Sequence, residues 1–151
     1  MKLSLPHRGL AQSVTVEHIG STSVPGLVEK PIVNLLLGVK HLPPCEAIGA
    51  TLREVGDYFM KSASVSGRQY WVKRSAHAFN VHVVVKDGTL CNEDLAFRHY
   101  LRSYPQAAVA YCNHKKAIYR EGAHRLLEYF RKKADLIATI CQKLTALKSI
   151  L

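Results

Sequence analysis

The sequence predicts one α/β domain of the α+β kind: a mixed, mostly antiparallel sheet with a helix on one side and a C-terminal helical pair or trio packed on it. Three observations predict this. The chain has 151 residues, 48% of them hydrophobic, with 9 Gly and 6 Pro, which is enough for one substantial core and too ordered for a fibrous or disordered protein. Short segments of strand character recur up to residue 87. After Asp87-Gly88 the spacing turns helical for the remainder. The expected single domain, 1–151, therefore divides into a short N-terminal segment (1–13), a sheet region (14–87) and a helical region (92–148).

Val14-Thr-Val-Glu-His-Ile19 alternates and is β-branched, so it reads as a strand ending at Gly20. GSTSVPGL, residues 20–27, is dense in turn formers and hydroxyls and reads as a loop or the start of a short helix. Pro31 to Val39 is apolar with one polar interruption, Asn34, as a central strand covered on both faces would be. Pro43-Pro44 breaks the chain, and Cys45 to Val55 places apolar residues at 47, 48, 52 and 55, one helix stripe ended by Gly56. Tyr58–Lys61, Arg68–Arg74 and Ala78–Lys86 are three further strand candidates. Asn92 is the expected N-cap of the next helix, with Glu93 and Asp94 in its first turn. Pro105 begins another helix, and Gly122 divides it from a last one with an apolar stripe at 127, 130, 134, 137, 141, 144 and 147. That stripe is core, or a homodimer face if it exceeds what the sheet can cover.

Composition sets limits on function. There are 21 Lys and Arg against 11 Asp and Glu, a net +10. Residues 1–64 are nearly neutral, and between Arg98 and Lys133 nine basic residues stand against Glu121 and Glu128. A basic excess speaks of partners rather than fold. Here it reads as an anion site or as a solvated helix face. No recognisable nucleic-acid-reading motif accompanies it, so dedicated nucleic-acid binding is not expected. No apolar run approaches the ~20 residues of a membrane span, and the first residues lack a signal-peptide core. A soluble, cytoplasmic protein with no membrane partner is expected. Cys45, Cys91, Cys112 and Cys141 lie far apart with no CxxC pair, and read as reduced thiols.

The stretch richest in chemistry is EHIGSTSVPGLVEKPIVNLLLGV, residues 17–39. A strand ending in Gly-Ser, followed by more hydroxyls and backbone donors, suits phosphate: Gly20 admits close backbone approach, and Ser21, Thr22 and Ser23 can donate. On spacing alone, a capped turn between two strands is the stronger reading.

The whole string resembles the signature of the GrpB family, small proteins placed in the nucleotidyltransferase superfamily, through Glu17, His18, Ile19, Gly20, Ser21, Thr22, Ser23, Val24, Pro25, Gly26, Leu27, Lys30 and Pro31. Ser66-Gly67-Arg68-Gln69-Tyr70 resembles the family's GRxY element, Val81-His82-Val83 its HLHV strand, and Leu95 to Arg102 its LAFRDYLR helix. Pro105, Tyr111, Lys115 or Lys116, and Lys132 or Lys133 fall where the family places a Pro, a Tyr and lysines. The likeness runs over about residues 14–145. It implies a nucleotidyltransferase-like fold that binds a nucleotide or another phosphorylated small molecule. It also implies nucleotidyl transfer as a reaction. A related domain is fused to some dephospho-CoA kinases, which adds coenzyme metabolism to the contexts it implies.

Three departures bear on that implication. The family's Asp on the second strand is Asn34, an uncharged and weaker ligand for the Mg²⁺ that superfamily chemistry uses. The HHLHV strand reads Phe79-Asn80-Val81-His82-Val83 and keeps one histidine. Against the family's pattern, the segment that usually precedes the motif is expected to be missing or vestigial. No cofactor and no metal ligand is therefore assigned with certainty, and a binding module that has lost its metal site is the alternative to transfer. Two-metal or one-metal chemistry wants paired carboxylates, and the acid nearest the motif, Glu17, is expected to pair with a basic neighbour.

The resemblance makes Asn34 and His82 the candidate catalytic positions. The phosphate-binding candidates are His18, Gly20, Ser21, Thr22, Ser23, Lys30, Arg68 and Arg98. His18 either contacts phosphate when protonated, orients Ser21, or is a hydrogen-bonded strand-end histidine. Arg68 and His82 lie on neighbouring strands and can converge on an anion, where a guanidinium makes bidentate contacts. Arg98 and Arg102 are one turn apart and share a helix face; of the two, Arg102 is expected to be the more solvated. Tyr70 and Trp71 read as core before base-stacking platforms.

Overall fold

The computed structural model describes residues 14–27, 32–44, 46–54, 58–59, 64–120, 132, 135–140 and 142. Five strands form one sheet: β1 (Thr15–Ile19), β2 (Ile32–Val39), β3 (Tyr58–Phe59), β4 (Arg68–Lys73) and β5 (Ala78–Val85), in the order β1-β2-β5-β4-β3. The β2–β5 pair is parallel and the other three pairs are antiparallel. Parallel neighbours need a long crossover, and α1 (Glu46–Glu54), β3 and β4 all lie within it. Two further helices follow, α2 (Thr89–Ser103) and α3 (Pro105–Arg120).

The near-continuous apolar run of β2 has the cause expected of it, since successive residues point to opposite faces and both faces are covered. Leu37 and Val39, with Val81, Val83 and Trp71, pack under Ile48 and Leu52 of α1. On the other face Leu36 joins Ile19 and Val84 beneath Cys91 of α2, with Leu90 and Leu95 against them. Leu36, Val39, Val83 and Val84 are at most 1% exposed, and each such burial stabilises by about 1.5–3 kcal/mol. Trp71 and Tyr70 are buried as core residues.

A second core lies beyond the sheet. Phe97 and Leu101 of α2 meet Ala108, Tyr111 and Cys112 of α3 together with Val24, and Leu136, Ile137 and Ile140 pack against them. Because Val24 and Leu27 belong to this cluster, the helices clamp the segment that follows β1. Cys91 and Cys112 are buried thiols, while Cys45 and Cys141 lie outside the described residues. Gly122 and the stripe positions 127, 130, 134, 141, 144 and 147 also lie outside them; position 137 is in the second core.

One boundary differs from the sequence reading. Asn92 does not cap α2, which begins at Thr89 after Gly88. Asp87 adopts a positive φ of 58°, so the chain reverses at once and brings Leu90 and Cys91 onto the sheet as helical residues. Asn92 then donates from Nδ2 to the Asp87 carbonyl at 3.0 Å, securing the turn from inside the helix. Pro105 opens α3 as expected. Among the described residues no helix is long and apolar enough to cross a membrane.

Candidate functional site

The loop after β1 is built from its own hydroxyls. Gly20 turns the chain at φ 75° and ψ −175°, a conformation that side chains rarely adopt. Ser21–Ser23 then makes one 3-10 turn. The Ser23 amide donates to the Gly20 carbonyl at 3.1 Å, and the Ser23 hydroxyl donates to the same oxygen at 2.6 Å. Ser21 and Ser23 are both buried. The Ser23 hydroxyl is thus used within the loop and Thr22 Oγ1 is 3.0 Å from His18 Nε2. Ser21 is the hydroxyl that meets a cation: Lys115 of α3 donates from Nζ to Ser21 Oγ at 3.1 Å, with the same ammonium 5.4 Å from the centre of the Tyr111 ring.

His18 contacts Thr22 rather than Ser21. Its pKa is lowered from the ordinary 6.5, first by burial and then by the charges of Arg102 and Arg98. The imidazole is therefore neutral at pH 7, which favours the hydrogen-bonded strand-end role over that of a cationic phosphate ligand.

Arg98 is turned away from the loop hydroxyls. Its Nη1 donates to Glu17 Oε2 at 2.7 Å and to the His18 carbonyl at 2.9 Å, with only 10% of its side chain exposed. This is the basic partner expected for Glu17, and it ties α2 to β1. Arg102, one turn on, is exposed as expected, yet it grips the loop by donating to the Ser23 carbonyl from Nε and Nη2.

Arg68 and His82 do converge. Arg68 Nη1 is 3.2 Å from His82 Nδ1, and Arg68 Nη2 is 2.9 Å from Asp94 Oδ2 as a largely buried ion pair. A guanidinium only donates, so His82 meets it through Nδ1 as the acceptor. Its ring lies 5.0 Å from that of Tyr70. Asp94 satisfies Arg68 from α2.

Asn34 pairs in register with Ile19 on β1 and with Asn80 on β5. Asn80 Nδ2 donates to Asn34 Oδ1 at 3.0 Å, and Asn80 Oδ1 accepts from Arg74 Nη2 at 2.8 Å. Asn34 also lies directly beneath the loop: a Cβ built on Gly20 would sit 3.1 Å from Asn34 Nδ2. His82 projects from the same sheet face, two residues along β5 from Asn80. The structure thus sets the Asn34 side chain against Gly20, the neighbour of Ser21, places Arg68 and His82 as a pair on the same sheet, and sets Arg98 as a brace for β1. Lys30 lies outside the described residues.

Magnesium, which the resemblance to nucleotidyltransferases implies, does not fit the donor set of the described residues. Both amide oxygens at 34 and 80 accept hydrogen bonds, and Glu17 and Asp94 are each paired with arginine. Among the described residues no three His, Cys, Asp or Glu side chains are grouped to hold an ion. Arg74, Asn80 and Lys115 were not singled out as site residues by sequence, and Arg102 was read only as sharing a helix face with Arg98 and as the more solvated of the two. The resemblance offered a family lysine at 115 or 116 as a signal, and nothing local says that Lys115 reaches a loop 94 residues earlier.

Comparison with known proteins agrees with the motif. Residues 4–143 match the family model described as GrpB protein. The chain is 33% identical over 131 residues to UPF0157 protein SCO7215 of Streptomyces coelicolor, covering 87% of this chain and 69% of that one. It is 27% identical over 127 residues to UPF0157 protein YqkA of Bacillus subtilis, where 83% of this chain spans only 37% of the relative. The crystal structure of conserved protein GrpB from Enterococcus faecalis superposes with a TM-score of 0.73 at 33% identity, over 93% of this chain and 85% of that one. With a family model matched along nearly all of its length and a relative 33% identical over 131 aligned residues, the chain belongs to the GrpB family.

Proposed function

We propose that this GrpB-family chain binds the phosphate groups of a nucleotide or another phosphorylated small molecule at the Gly20–Ser23 loop. The observation that carries this reading is the Lys115 ammonium 3.1 Å from the Ser21 hydroxyl. A fixed cation beside a hydroxyl, at a glycine that lets backbone approach, suits a phosphate oxygen. Arg102 supports it by holding the loop through the Ser23 carbonyl. In this reading Asn34 is a ligand contact and His82 is positioned by Arg68.

Nucleotidyl transfer is the reaction that the resemblance implies, and it calls for carboxylates at the metal. Amides at positions 34 and 80 favour the module that keeps the phosphate cradle without transfer. Thermal-shift measurements with ATP, CTP, GTP and coenzyme A precursors, with and without Mg²⁺, test the reading. At least one phosphorylated compound should stabilise the protein, and Ser21→Ala or Lys115→Ala should abolish the effect. If no phosphorylated compound stabilises the protein, or if both variants respond like the parent, the reading fails.

A further inference from the structure

The side chains of Arg74, Asn80 and Asn34 form a hydrogen-bonded chain whose direction is set at one end. Arg74 has donors and no acceptor, so the Asn80 atom 2.8 Å from its Nη2 must be oxygen. Asn80 then turns its NH₂ toward Asn34 and meets the Asn34 oxygen at 3.0 Å. Neither amide can flip alone without setting donor against donor. Arg74 is itself held, since its Nη1 donates to the carbonyls of Lys73 at 3.0 Å and Phe79 at 2.9 Å. The group left at the far end is the Asn34 NH₂.

That end is aimed at the loop. A Cβ on Gly20 would lie 3.1 Å from Asn34 Nδ2, and the next residue is Ser21, on which Lys115 donates. Among the described residues the Asn34 side chain bonds through its oxygen alone. A carboxylate here would offer oxygens to a cation. The amide, oriented by Arg74, offers N–H instead.

We infer that the Arg74–Asn80–Asn34 chain turns a metal-ligand position into a hydrogen-bond donor for an anion, so that this site takes a di- or triphosphate as the free anion rather than as its magnesium complex. The inference rests on the phosphate-binding reading above. Its charge logic is local. The guanidinium polarises two amides in series, and it repels a divalent ion at a place where each amide oxygen already accepts a hydrogen bond.

The test is calorimetric titration of the full chain with inorganic pyrophosphate, once in EDTA and once in excess Mg²⁺, joined to NMR spectra of the asparagine side-chain amides. Pyrophosphate should bind in EDTA at least as tightly as with Mg²⁺ and should shift the Asn34 Nδ2 resonances. Asn34→Asp should weaken metal-free binding by about tenfold to a hundredfold, the scale of a hydrogen bond to a charged group, and should make Mg²⁺ helpful. Arg74→Ala should weaken binding several-fold, with Arg74→Lys, also a pure donor, restoring most of it. Binding that requires Mg²⁺ in the parent protein, or Asn34→Asp binding as well as the parent in EDTA, overturns the inference and leaves the phosphate reading standing. Failure to bind under either condition overturns both. Should Asn34→Asp fail to fold, the spectrum of the parent protein decides: Asn34 resonances unmoved by saturating pyrophosphate sink the idea.

Discussion

Arg102 holds the carbonyl of Ser23 with two nitrogens, Nε at 2.9 Å and Nη2 at 2.7 Å. The bond joins the last turn of α2 to a loop 79 residues earlier, and it occupies the carbonyl of the last residue of the 3-10 turn. Such a fork is a property of the planar guanidinium, which a lysine cannot copy.

Replacing that fork should loosen the loop more than the fold. Arg102→Ala is expected to cost about 1 kcal/mol of stability, because the side chain is exposed. Hydrogen exchange at the Ser23 and Val24 amides should accelerate, whereas exchange in β2 and β5 should hold. Arg102→Lys should recover little of the protection. Urea denaturation followed by exchange measurements checks both parts.

Stability should fall as pH drops below the ordinary histidine range. Burial, Arg102 and Arg98 lower the His18 pKa from 6.5, so the unfolded chain takes up a proton that the folded chain resists. The stabilisation is full above the unfolded value and is lost as pH falls from about 6.5 through the lower folded value. Denaturation at a series of pH values should show this slope, and His18→Gln should flatten it. An NMR titration placing His18 above 6.5 would contradict it.

Arg98→Ala should be the most damaging charge deletion in this region. It removes the partner of Glu17 and of the His18 carbonyl from a side chain only 10% exposed. A loss of about 2–3 kcal/mol is expected, below that of a fully buried pair because Glu17 is 43% exposed. Glu17→Gln, which keeps an oxygen for Arg98, should cost less. Chemical denaturation of the two variants side by side decides the order.

Gly20→Ala should disturb the site directly. The new Cβ would be held at φ 75° and pressed to 3.1 Å from Asn34 Nδ2. A cost of about 1–3 kcal/mol is expected for the backbone, together with a shift of the Asn34 side-chain amide resonances. Gly26→Ala is the control: it shares the positive φ, but its Cβ would meet nothing within 4 Å, so the Asn34 resonances should not move.

The strands and helices were legible in the sequence because their signals are local. Alternation in Val14–Ile19, the apolar run after Pro31 and the proline at 105 each state a backbone preference within a few residues. The start of α2 was not, because Asn92 looks like a cap and the helix begins at Thr89. The Asp87-Gly88 turn and the demand to bury Leu90 and Cys91 outweighed the capping preference.

The candidate site divides in the same way. The Gly20–Ser23 loop, the asparagine at 34 and the arginine at 68 were marked by the resemblance to the family's motifs, which names positions and not partners. The partners of these residues were decided in three dimensions. Lys115 reaches Ser21, Arg98 turns to Glu17, and Asn80 meets Asn34 across the parallel β2–β5 pair. Hydrogen-bond partners 46 to 94 residues apart leave no periodic trace in a sequence, because what joins them is the packing of layers. The sequence by itself determined which groups this protein owns and which elements carry them. Tertiary structure alone decided that the arginine at 74 sets the direction of two amides, and through them whether Asn34 offers an acceptor or a donor.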